Sequence, residues 1–131
     1  MKAWCWRGAG LLLLGPAAAG AACPLTQATP PTMTLGPVQA AWQALPQTIA
    51  VGRPFALLVT LCPAQAQLLR VDATMPEHRH GMNYRASVEA LGEGRWRVEG
   101  LLWHMSGRWE LTLDVQQQGA EYRLRQSVEL P

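Results

Sequence analysis

The chain is almost without lysine. Lys2 is the only one in 131 residues, and the other ten basic residues are arginines. They are scattered, so the basic tract that marks a nucleic-acid binder is missing. Cysteine is scarce as well. Cys5, Cys23 and Cys62 stand far apart, with no CxxC or CxxxC spacing for a thiolate metal site. No long helical period runs through the chain, and there is no internal repeat. An activated nucleophile or a paired acid and base is also lacking, which argues against an enzyme. Ser106, His104 and Asp72 are the nearest thing to a hydrolase triad. Ser106 sits in a plain turn with no nucleophile elbow.

The N-terminus is present for export. Residues 1–7, MKAWCWR, carry Lys2 and Arg7, an apolar run follows, and small residues continue through Ala22. That is the order of a secretory signal peptide. Its apolar run is too short to span a bilayer. Cleavage is expected after Ala22, with Ala21 the next choice. Removing residues 1–22 takes both Lys2 and Arg7, so nine arginines face nine acidic residues and the mature charge is about zero. The expected location is periplasmic or secreted. Cys23 at the new N-terminus invites a lipid anchor, but Gly20 stands where lipidation usually needs a large aliphatic residue. In an oxidising compartment the remaining pair, Cys23 and Cys62, is expected to form a disulfide. A loop of that size contributes roughly 3–4 kcal/mol in the chain-entropy picture.

Residues 23–47 begin with a proline- and threonine-rich stretch and read as an extended arm, with VQAAWQALP at 38–46 either a helical turn or a first edge strand. Strand patterns dominate from residue 48 to 131. FALLVTLC at 55–62 is apolar on both faces, as a central strand should be. LLRVDATM at 68–75 alternates, with Leu69, Val71, Ala73 and Met75 on one face. RASVEAL at 85–91 is shorter. RWRVEGLLWH at 95–104 puts Trp96, Val98, Leu102 and His104 together, which leaves Trp103 out of phase and exposed or at an edge. RWELTLDVQ at 108–116 turns Trp109, Leu111, Leu113 and Val115 inward, and YRLRQSVEL at 122–130 groups Tyr122, Leu124, Gln126 and Val128. About seven short strands with Gly and Pro turns predict an all-β, Ig-like antiparallel sandwich.

Two segments concentrate soft and borderline metal donors. MPEHRHGMNYR at 75–85 holds Met75, His78, His80 and Met82, and WHMSGRW at 103–109 holds His104 and Met105. Imidazole and thioether ligands suit copper, and methionine sulfur favours the reduced ion. Zinc on His78, His80 and His104 is the harder alternative. A blue-copper centre is disfavoured, because Cys62 lacks a nearby downstream His and Met. The same residues also fit ordinary packing. Met75 and His104 are in phase with inward faces, and Glu77, Arg79 and Arg85 suit a polar loop with surface ion pairs.

FALLVTLC, VDATMPEHRHGMNYR and GRWRVEGLLWHMSGRWELTLDV together resemble the YtkA-like family of small exported β-sandwich domains, over about residues 48–130. The resemblance rests most on Met75, Pro76, His80, Gly81 and Met82, and on Met105, Gly107 and Trp109. It implies an Ig-like fold and, more loosely, copper handling beside an envelope oxidase or a copper-resistance protein as partner. The expected ligands are His78, His80, Met82 and His104, supported by Met75 and Met105. The role is carriage or buffering of Cu(I). The contrasting expectation is a non-catalytic interaction module of the cell envelope that binds no metal.

Overall fold

The computed structural model describes Gly15, Leu25 and residues 32–131. The expected signal peptide apart from Gly15, its expected cleavage site and Cys23 lie outside the described residues. Among the described residues nine strands follow one another: β1 Thr32–Leu35, β2 Val38–Leu45, β3 Pro54–Cys62, β4 Gln67–Met75, β5 His80–Gly81, β6 Ser87–Gly92, β7 Arg95–Leu102, β8 Gly107–Gln117 and β9 Ala120–Leu130. They form two antiparallel sheets, ordered β1-β2-β3-β7-β6 and β5-β4-β8-β9. One hydrophobic core draws on both sheets, so the fold is a β-sandwich. Among the described residues no helix is long and apolar enough to cross a membrane.

Period-two burial explains most of the strands. Trp109, Leu111, Leu113 and Val115 of β8 are all fully buried, while Arg108, Glu110, Thr112 and Asp114 face outward. Phe55, Leu57, Val59 and Leu61 do the same from β3, which lies in the middle of its sheet. Trp42 of β2 crosses the core, and its Nε1 donates to Gln126 Oε1 of β9 at 2.8 Å. That bond accounts for a glutamine on the inward side of the last strand.

Three expectations need correction. Residues 32–45 are a strand pair of the five-stranded sheet, not part of an arm, and the sandwich begins well before residue 48. Val38, Ala40, Trp42 and Ala44 alternate into the core, and β2 lies between β1 and β3 instead of at an edge. The other two corrections share a cause. Leu68 faces the core and Leu69 is 43% exposed, because the register with β8 slips between Leu68 and Arg70. On β7, Trp96 and Val98 are inward as expected, but Leu101 and Trp103 then replace Leu102 and His104. Here two residues, Glu99 and Gly100, stand opposite Ala56 alone, since Leu57 pairs with Val98 and Phe55 with Leu101. That is a β-bulge, and it reverses the alternation beyond it. Gly100 has φ +84°, a conformation glycine adopts without a steric penalty.

Candidate functional site

The bulge in β7 determines what lies at one end of the sandwich. It sends Trp103 into the core, where the residue is 0% exposed. Its indole stacks on Trp109 with centroids 5.3 Å apart and planes 5° from parallel. Phe55 meets the same Trp103 indole edge-on at 5.2 Å. His104, the next residue, is thereby displaced to the rim and remains half-buried. It stands edge-on to Trp109 at 5.6 Å. Trp109 Nε1 donates to the Met105 carbonyl at 2.9 Å, which fixes the 103–106 connection over the indole pair.

The other half comes from the β4–β5 hairpin. Met75 pairs with His80 and Thr74 with Gly81. Directly paired residues project to the same side of a ladder, so His80 shares the side of Met75. The turn between them is closed by His78 N–H donating to the Met75 carbonyl at 3.1 Å. Arg79 adopts a left-handed φ of 54°. Arg108, at the start of β8, holds the turn through Glu77, with Nε 3.2 Å from Oε1. Just past β5, the Met82 N–H donates to the Ala73 carbonyl at 3.3 Å.

These elements bring the three imidazoles into a row. His78 and His80 have centroids 6.4 Å apart with planes 20° from parallel, and His80 and His104 are 6.1 Å apart at 78°. His78 and His80 are exposed, whereas Met82 and Met105 are half-buried against the core. Met75 is fully buried, and a Cβ on Gly107 would lie 3.0 Å from its Cε. Met75 is therefore a core residue that underlies the hairpin. His104 carries a buried Nδ1 with no hydrogen-bond partner, as does Trp103 at Nε1.

Two imidazoles sharing one ion through bonds of about 2.0 Å place their centroids roughly 5–6.5 Å apart. The His80–His104 and His78–His80 separations fall within that span. Among the described residues, however, no three His, Cys, Asp or Glu side chains are grouped to hold a metal ion. The three-histidine zinc arrangement is therefore not formed. Of the expected donors, the His80–His104 pair and the half-buried Met82 and Met105 are left, donor types of the softness Cu(I) takes. Cys62 is disulfide-bonded and so is withdrawn from metal chemistry. Its expected pairing with Cys23 falls outside the described residues.

The sequence singled out the histidines and an inward Trp109, but not the edge-on contact of Trp109 with His104, the Arg108–Glu77 link or the left-handed Arg79. Arg108 is visible in WHMSGRW, and Glu77 and Arg79 in EHRH, yet which neighbours touch depends on the bulge and the turn. No family model matches the chain, and neither a curated protein nor a solved structure does.

Proposed function

We propose that this chain is an exported copper-binding domain that carries or buffers Cu(I), gripping it with His80, His104 and a thioether from Met82 or Met105. The observation that supports this most is the edge-to-face approach of His80 and His104, 6.1 Å between centroids, from the β4–β5 hairpin and from the connection that crosses between the sheets from β7 to β8. The partner of such a carrier would be an envelope oxidase or a copper-handling protein, as the YtkA-like resemblance implies. An exposed His80 suits release to such a partner, since exchange needs ligands that another protein can reach. Cu(I) would supply only its affinity for soft donors; the chain's own contribution is to hold the donors apart at the right spacing.

A second reading has its own support. Tyr84 is 63% exposed in the same loop, and no three-residue donor group is formed among the described residues. A metal-free docking surface for an envelope protein would use that exposed loop. Titration of the purified mature chain with Cu(I) against a competing chelator separates the two readings. The copper reading expects one ion per chain, with binding lost in both His80→Ala and His104→Ala. A folded parent that leaves all copper with the chelator would exclude it.

A further inference from the structure

The outer face of the five-stranded sheet is not bare. The row Trp42, Val59 and Trp96 points into the core, so the rows on either side point outward. Those rows include Ala41 paired with Thr60, and Gln43 paired with Leu58. Between them runs a groove of about 260 Å³, whose lining takes in the Trp42–Val59–Trp96 row itself along with Ala41, Thr60 and Leu91. Leu25 lines the same groove, although it lies outside the sandwich in sequence. Ala41 is only 7% exposed on this outward face, so something covers it. The backbone carbonyl of Leu25 accepts a hydrogen bond from Thr32 Oγ1 at 2.8 Å, which ties that segment to the start of β1.

Cys62 gives a second, independent tie. It is the outward residue two places beyond Thr60 on β3, and it is disulfide-bonded. The other cysteines are Cys5 and Cys23. Cys23 is two residues from Leu25, a reach of about 7 Å in extended chain. Thr60 to Cys62 covers about the same distance along a strand.

We infer that the segment beginning at Cys23 is a strap bound across this groove, with Leu25 as its apolar anchor and a Cys23–Cys62 disulfide as its lock. Closure removes two protons and two electrons from the thiols. A disulfide oxidant of the export compartment takes them and leaves as its dithiol. The lock consumes the Cys23 thiol, so the strapped chain is not lipid-anchored. The occupant of the groove is the chain's own N-terminal segment, and this holds whether or not copper binds.

The test uses the full chain exported with its own leader into an oxidising compartment. Peptide mapping without reductant should show the Cys23 peptide joined to the Cys62 peptide, separating on reduction. A free or lipidated Cys23, or a Cys5–Cys62 link, overturns the lock. Photo-crosslinking from benzoylphenylalanine at position 25 should mark residues 41–43, 58–60 or 91–96 of the same molecule. Crosslinks elsewhere, or to a second molecule, overturn the anchor. In Cys62→Ser, checked for native near-UV circular dichroism, the crosslink yield should fall; an undiminished yield shows that the disulfide does not hold the strap.

Discussion

At the residue scale, Trp103 and His104 show how much one position decides. Adjacent in sequence, they have opposite environments: one is stacked between Trp109 and Phe55, the other sits at the rim. Trp103→Ala should cost about 3–5 kcal/mol in urea denaturation, the range for emptying a large aromatic site in a core. Trp103→Phe should cost clearly less, because it keeps a ring in place and removes an N–H that has no partner. His104→Phe should leave stability nearly unchanged or raise it, since the buried Nδ1 is also without a partner. The chemistry-bearing residues were legible at this scale. His78, His80, His104, Met82 and Met105 stood out by type and grouping, and the structure does bring the three imidazoles into one row.

At the element scale, the legible part was alternation and the illegible part was its interruption. The patterns of β8 and β9 could be read directly, because both are unbroken and each has one buried face. β4 and β7 could not be read through. A bulge adds a residue to one strand of a pair, and nothing in LLRVDATM announces it. In β7 the signal was Gly100 in the middle of a strand, which composition alone does not distinguish from a weak strand position. The β1–β2 pair was hidden by its proline- and threonine-rich approach. Gly100→Ala should destabilise by roughly 1–2 kcal/mol, because φ +84° is strained for a residue with a Cβ. Deleting Gly100 should be far worse than substituting exposed Glu99. The deletion would restore simple alternation and exchange the faces of everything from Leu101 to His104. A thermal melt of the three variants, with near-UV circular dichroism to follow the indole pair, checks the order.

At the scale of the whole molecule, the two outer faces differ in kind. The four-stranded sheet carries a charged ladder, in which Asp114 lies between Arg70 and Arg123 in one cross-strand row. Arg123 binds Asp114 with both ends of its guanidinium, at 2.7 and 2.9 Å. That hydrogen-bonded pairing holds the Asp114 carboxyl below its ordinary range, and Arg123 is correspondingly raised. A carboxylate with a depressed native pKa stabilises the fold above its unfolded pKa and loses that contribution as pH falls through the native value. Arg123→Gln should therefore be less stable than the parent at neutral pH. The gap should close as the medium is acidified below the ordinary carboxylate range, which denaturant titrations at several pH values would show.

The five-stranded sheet presents instead the groove that Leu25 helps to line. At one end of the sandwich lies the histidine row, and its make-up has a thermodynamic consequence. His80 belongs to the β4–β5 hairpin and His104 to the connection from β7 to β8, so only the complete sandwich brings them side by side. The unfolded chain has no such pair. Any ligand that grips both imidazoles is linked to folding by mass action and must raise the melting temperature as its free concentration rises. A ligand held by one exposed imidazole alone meets the same group in the unfolded chain and shifts the melt far less.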